Sequence, residues 1–296
     1  MNKGMWYALG AYLIWGFLPL YWKALPGIPA LEILSHRVVW SFLLLVGVLV
    51  YRRHWRWIAP ALRNRKTLLT FLAATTLLAI NWLVYIWAVQ SNYVVESSLG
   101  YFMNPLVNVL LGMLFLGERL RLWQWTGIGV ATVGVVYLTL TLGTLPWIGL
   151  TLAFSFGFYG LLRKTALLNA LEGLTFETTL LIIPVLLYLF YREGMGIGSF
   201  GHTDTWATFL LIFSGLVTAT PLLLFAAAAR RVSLATMGVL QYLAPTIQFL
   251  LGVFLYGEGL TSARLIGFSL IWMSLLIYSV EGLLQRRRVA AYQYTS

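Results

Sequence analysis

The chain has 296 residues, of which 60% are hydrophobic and only 10% charged, whereas soluble domains carry roughly 25% charged residues. Its mean hydropathy of +0.83 and its 13 Trp, 16 Tyr and 17 Phe mark a polytopic membrane protein; with no cysteine, and with His36, His54 and His202 far apart, no disulfide framework and no metal site is expected. The net charge of +11 reads as Lys and Arg gathered in cytoplasmic loops, not as a nucleic-acid footprint, because no soluble domain remains to carry one.

Lys3 ahead of an apolar run imitates a signal peptide. Residues 4–22 are long for such a segment and no small-x-small cleavage site follows, so a retained helix is expected. A span needs about 20 mostly apolar residues. Ten stretches fit: 4–22, 32–51, 67–90, 94–116, 122–141, 146–163, 175–191, 206–229, 234–256 and 262–282. The connections are short except 52–66 and 192–205, and no linker suggests a second, soluble domain.

With the N-terminus placed inside, sixteen Lys and Arg fall in cytoplasmic segments; three (Lys23, Arg192 and Arg264) fall outside, and Arg37 lies within the second span. That asymmetry predicts both termini in the cytoplasm and supports an even span count.

Residues 105–120 recur at an offset of 140. Pro105, Leu110, Leu111, Gly112, Gly117, Glu118 and Leu120 return as Pro245, Leu250, Leu251, Gly252, Gly257, Glu258 and Leu260. Trp15-Gly16-Phe17 aligns with Phe156-Gly157-Phe158 at 141, while Glu32 and Glu177 pair only at 145. Two five-span halves, residues 1–141 and 142–296 with its basic cytoplasmic tail, each hold an odd number of spans, so the second half is inverted. The fold class expected is all-α integral membrane, ten transmembrane helices as two inverted-topology repeats, an arrangement suited to alternating access.

Polar residues then fall on shared helical faces. The fourth span carries Ser97, Tyr101, Asn104 and Asn108 on one stripe; in the ninth, Gln241 and Gln248 stand at the equivalents of Tyr101 and Asn108. The third span offers Asn81 and Tyr85, the first Tyr12 and Trp15, the sixth Phe156 and Tyr159. Pro105 and Pro245 each free a carbonyl four residues earlier and are the expected helix hinges. Two readings compete: these faces line a central cavity for a small, partly apolar, hydrogen-bonding solute, or their amides bond neighbouring helices. The substrate-binding candidates are Tyr12, Trp15, Asn81, Tyr85, Tyr101, Asn104, Asn108, Tyr159, Gln241 and Gln248.

Among the acids, Glu118 and Glu258 each precede a span whose N-terminus a carboxylate can cap. Glu96, one residue before the polar stripe, is the candidate for proton coupling, with snorkelling into water as its rival reading. Arg37 lies deeper and requires a partner, with Glu32 the nearest acid. Gly127, Ala131 and Gly134, with Gly267 opposite Gly127 in the repeat, mark helix packing or a dimer contact. No Walker-type phosphate loop, nucleophile elbow or zinc-protease motif is present, so no cofactor and no enzyme activity is expected, and transport would run on a gradient.

The sequence resembles the EamA-type permeases of the drug/metabolite transporter superfamily, and within them the RarD-like, chloramphenicol-sensitive branch. The residues that carry the resemblance are Ala11-Tyr12-Leu13-Ile14-Trp15-Gly16 with Pro19 and Tyr21-Trp22-Lys23; Glu32 through Arg37 with Trp40-Ser41; Asn81-Trp82 with Tyr85-Ile86-Trp87; Ser98 through Pro105; Leu152 through Gly160; and Gln241-Tyr242-Leu243-Ala244-Pro245-Thr246. The resemblance implies ten helices in two inverted halves, in the bacterial inner membrane. It implies transport of small metabolites, often export of amino acids or drugs, through a site built from the first, third, fourth, sixth, eighth and ninth helices. Gly257-Glu258-Gly259 departs from relatives that often carry Lys after the Glu, which weakens an ion-pair role for Glu258. The expected function is a secondary-active inner-membrane exporter of small amphipathic metabolites or drugs. The alternatives are an amino-acid or nutrient permease, for which Arg37 and Glu96 are the charged candidates, and a non-transporting scaffold or sensor. The expected partners are a small-molecule substrate and the lipid bilayer, with no nucleic acid; cargo and oligomeric state are not encoded legibly.

Overall fold

The computed structural model describes residues 3–117, 121–229, 231 and 240–295; Glu118 and the start of the predicted ninth span lie outside the described residues. The described chain folds as α1 (Lys3–Lys23), α2 (Ala30–Arg52), the short α3 (Ile58–Arg63), α4 (Arg65–Gln90), α5 (Val94–Leu116), α6 (Leu122–Leu142), α7 (Trp147–Thr165), α8 (Ala170–Gly194), α9 (Thr205–Ala229), α10 (Leu243–Leu250, continued by a π-turn over Leu251–Leu255) and α11 (Ser262–Thr295). With α3 set aside, these are the ten predicted spans. Five of them (α2, α4, α5, α8 and α9) are by length and hydropathy alone able to cross a membrane, and shorter apolar helices occur at Trp147–Arg163, Leu243–Leu255 and Ser262–Ile277. The other two, α1 and α6, have 21 residues each and are enriched in Trp, Tyr and Gly, which hydropathy ranks low but membrane helices and their interfaces favour.

Two boundaries differ from the sequence expectation for local reasons. Helix α8 starts at Ala170 instead of 175, because Asn169 forms a capping box: its side chain accepts from the Glu172 amide at 3.1 Å and the Glu172 carboxylate accepts from its own at 3.0 Å. Helix α11 runs past 282 to Thr295, since no Gly or Pro interrupts the chain beyond Gly282.

The helices are interleaved between the halves. Helix α5 packs on α7 as α10 packs on α1; α4 on α7 as α9 on α1; α2 on α9 as α8 on α4; and α6 pairs with α11, α2 with α8, and α5 with α10. Exchanging each span with the span five positions later reproduces this set, which is the signature of a two-fold pseudo-symmetry. Individual contacts obey it too. A Cβ on Gly16 would lie 2.8 Å from Ile247, and one on Gly157 2.7 Å from Val107. Both glycines let the first helix of a half press against a fourth helix, and the two contacted residues are themselves 140 apart.

Helices α2 and α8, which start at Ala30 and Ala170, fix the register of the second and seventh spans. Ala30-Leu31-Glu32 aligns with Ala170-Leu171-Glu172, so the counterpart of Glu32 is Glu172 and not Glu177, and Arg37 falls opposite Glu177. The two helices are tied reciprocally at their ends. Buried Glu32 pairs with Arg192 of α8 at 2.9 Å and accepts from the Ser199 amide at 2.6 Å and hydroxyl at 2.9 Å. Glu172 in turn meets His54, just beyond α2, at 2.7 Å.

Glu258 does cap a helix N-terminus, but not that of the span that follows it. Its carboxylate accepts from the Val94 and Val95 amides of α5, at 2.7 and 2.8 Å, across 164 and 163 residues. Orphan N–H groups at a helix start are scarce targets inside a bundle, and a carboxylate from a neighbouring turn satisfies two at once. Burial raises the Glu258 carboxyl above its ordinary value, opposed by those two amides and by Lys23 and Arg264. The small residues of α6 serve packing within the chain: Ser274 of α11 donates to the Gly127 carbonyl at 2.6 Å, and a Cβ on Gly134 would lie 3.2 Å from the Gly267 carbonyl.

Removing one member of a buried pair leaves the other charge uncompensated, at a cost of about 3 kcal/mol. Arg192→Gln is therefore expected to lower the unfolding temperature in detergent, and Glu32→Gln in the same chain to restore part of the loss. A thermal-unfolding double-mutant cycle with no coupling between the two sites would contradict the tie.

Candidate functional site

The sixth, third and fourth spans bring the predicted polar faces together. Asn81 of α4 is buried and donates to the Leu152 carbonyl and to Ser155 Oγ of α7, both at 3.0 Å. Its Oδ1 accepts from Tyr101 at 3.4 Å. The Asn81 amide is thus committed to holding α4 on α7, with one oxygen facing the Tyr101 hydroxyl. Tyr85 lies edge-on to Tyr101 at 5.5 Å, Tyr101 edge-on to Phe156 at 6.5 Å, and Phe156 is 5.9 Å from Tyr159. These four rings form a continuous rail from α4 through α5 to α7.

Each end of the rail carries a charge. At one end Tyr159 donates to Glu177 at 3.2 Å; Glu177 is buried and ion-paired with Arg163 at 3.6 Å, while the Arg163 guanidinium lies over the Phe71 ring at 5.2 Å. At the other end stands Arg37, 4% exposed, with Tyr85 and Tyr101 as its titratable neighbours. Glu32 does not pair with it, being held by Arg192 and Ser199. The guanidinium instead lies 4.0 Å from the Trp82 ring centre and 5.3 Å from that of Trp22.

A second aromatic cluster is built from α1, α9 and α10. Tyr12 and Trp15 contact each other at 5.5 Å and both contact Phe225, at 6.2 and 5.6 Å. Gln248 is buried and donates to the Trp15 carbonyl at 2.9 Å, and its Oε1 has no hydrogen-bond partner among the described residues. Asn104 is buried, and its Oδ1 likewise has no partner among the described residues. Asn108 is exposed and lies beside Gly157 and Gly160. Gln241 is half-buried in the turn before α10. Pro105 lies inside α5; Pro245 sits in the first turn of α10, where a missing N–H costs nothing, so the chain near Gln241 is broken by a turn and not by a mid-helix kink. Glu96, half-buried in the first turn of α5, faces the Ile148 amide at the start of α7, with Arg264 and Glu258 nearby.

A cleft of 660 Å³ opens at the α1–α2 connection, lined by Trp22, Lys23, the Pro26–Ala30 turn, Trp87 and Gln90. Gln90 holds that turn by donating to the Leu25 and Ile28 carbonyls at 3.1 and 3.0 Å. Lys23 at the rim bonds Asn92 and lies over the Tyr256 ring. Trp22 both lines the cleft and carries Arg37 on its face.

The profile of the EamA-like transporter family matches residues 2–140 and again 145–280. The chain belongs to that family. Among similar proteins, an uncharacterized transporter of Vibrio cholerae serotype O1 is 44% identical over 95% of this chain and 93% of its own length. Protein RarD of Streptomyces exfoliatus is 46% identical over 98% of this chain and 92% of its own. A protein of known crystal structure superposes with a TM-score of 0.58 at 16% identity, over 93% of this chain and 97% of that one, a likeness of fold alone. The chain is thus a multi-pass membrane protein of a transporter family. Its EamA-type halves place the Arg37 and Glu177 ends of the rail at repeat-equivalent positions. Trp22, Trp82 and Phe225 were absent from the sequence-derived candidates because aromatic residues in spans carry no polar signal; the correct offset of 140 for the second span was the clue available to Arg37 and Glu177.

Asn81→Ala is expected to cost about 1 kcal/mol of stability through its two lost donor bonds, whereas Asn104→Ala, whose Oδ1 has no partner to lose, is expected to leave the unfolding temperature unchanged. Equal destabilisation by both would show that Asn104 is packing glue as well.

Proposed function

We propose that this chain is a secondary-active transporter of the bacterial inner membrane, with both termini cytoplasmic, exporting small amphipathic metabolites or drugs by alternating access. The observation that carries the reading is the aromatic rail between Arg37 and Glu177, running through a bundle whose helix packing is symmetric on exchange of its halves. In such a bundle the outward-open and inward-open states differ by an exchange of conformations between halves, at modest energetic difference. Aromatic rings together with the buried amide oxygens of Asn104 and Gln248, unpartnered among the described residues, suit a flat, partly apolar solute that makes a few hydrogen bonds. The 16-to-three Lys and Arg asymmetry supports the orientation. Glu96 is proposed as the proton-coupling group, and the gradient as the energy source.

Counterflow in proteoliposomes, across amino acids and antibiotics at two pH values, tests this. Solute-dependent exchange is expected for the intact protein. Tyr101→Phe, Asn104→Ala and Gln241→Ala are expected to reduce it about three- to tenfold each, the effect of one lost hydrogen bond to the solute. Glu96→Gln is expected to flatten its pH dependence. No exchange for any solute, or unchanged kinetics in all the variants with normal folding, would overturn the site.

A further inference from the structure

We propose that Arg37 is the anion-recognising group of the pathway, and that the solute it takes is a monocarboxylate with a flat, apolar body. The proposal rests on the transport reading above and gives it a substrate class. Arg37 is buried, yet among the described residues its Nε and Nη1 find no hydrogen-bond partner. Two groups of its surroundings share that condition: the indole Nε1 of Trp22, whose ring carries the guanidinium, and the hydroxyl of Tyr85. All of these can donate, and an indole N–H and a guanidinium can only donate.

The contacts that Arg37 does make leave its donors free. Its cation–π contacts with Trp82 and Trp22, 4.0 and 5.3 Å from the ring centres, use its charge and not its N–H groups as hydrogen-bond donors. Buried Glu32 and Glu177 are held elsewhere: Glu32 by Arg192 and Ser199, Glu177 by Arg163 and Tyr159. A cationic fork among unsatisfied donors in a low-dielectric bundle calls for an anionic acceptor, and the planar fork matches a carboxylate with two parallel bonds. One guanidinium balances one negative charge, so a doubly charged phosphate would bury an uncompensated charge. The rail beginning at Tyr85 and Tyr101 receives the flat body, and Lys23 on the rim of the adjoining cleft adds a positive charge along the approach.

The test uses the full-length protein in nanodiscs, titrated with benzoate, phenylacetate, 3-phenylpropanoate and indole-3-acetate, each beside its neutral amide, and with inorganic phosphate. The readouts are intrinsic tryptophan fluorescence, to which Trp22 and Trp82 contribute among the chain's 13 Trp, and the unfolding temperature. At least one carboxylate is expected to bind at least about tenfold more tightly than its amide, with phosphate weaker than that carboxylate. Arg37→Gln is expected to abolish this preference while its unfolding temperature without probe stays equal or rises, because an unpaired buried charge has been removed. Tyr85→Phe, which keeps the charge, is expected to weaken the preference by about threefold. A wild-type protein that treats every acid and amide alike, or that prefers phosphate, overturns the proposal. So does an Arg37→Gln protein that is destabilised yet retains the preference. Counterflow of neutral solutes without any carboxylate preference overturns the Arg37 assignment and leaves the transport reading standing; carboxylate preference without counterflow of any solute supports Arg37 and overturns transport.

Discussion

A charge taken into a hydrocarbon-embedded bundle must find its complement within the protein, and the way this chain meets that demand organises the whole molecule. Helices α2 and α8 carry their acids at their starts and are joined head to tail, Glu32 to Arg192 and Glu172 to His54. Each tie links one half of the chain to the other, so both halves contribute to one bundle. They interleave, and the glycine contacts of α1 on α10 and α7 on α5 repeat the same rule at the level of single side chains. Glu258 extends it further, closing the N-terminus of a helix in the opposite half.

Against that background two charges stand out by position. Arg37 and Glu177 occupy the same place in the two repeats, yet their chemistries are opposite. Glu177 is complemented by Arg163 and Tyr159; among the described residues Arg37 meets the rings of Trp22 and Trp82 and no acid. Inverted repeats place equivalent residues toward opposite membrane faces, so the rings linking them run between the two faces. A pathway with a complemented negative end and an uncomplemented positive end is asymmetric in what it can hold, even though its scaffold is nearly symmetric. The two repeats share a scaffold and differ in chemistry at these two positions.

Much of this was legible in the residues. Apolar runs marked out ten spans, five of which meet the length and hydropathy of a membrane-crossing helix among the described residues, and the recurrence from Pro105 to Leu120 announced the doubled fold. Polar spacing found Tyr85 and Tyr101, and Asn81 as a residue on their face. What remained hidden depends on partners distant in sequence. That Asn81 would spend its N–H groups on Leu152 and Ser155, or that Glu258 would reach Val94, is a property of helix placement and not of helical periodicity. The early start of α8 was masked because a capping box at Asn169 sits before the hydropathy rises. That shift displaced the register by five residues and paired Glu32 with the wrong acid.

The absence of native cysteine makes one measurement direct. A single cysteine placed at Tyr101, midway along the rail, reports whether water reaches it and from which side. With membrane-impermeant maleimide applied to sealed vesicles of known orientation, an alternating pathway predicts labelling from either face, the favoured face changing as the solute gradient is reversed. Labelling from neither face, or from one face regardless of gradient, would contradict a passage between two exchanging halves.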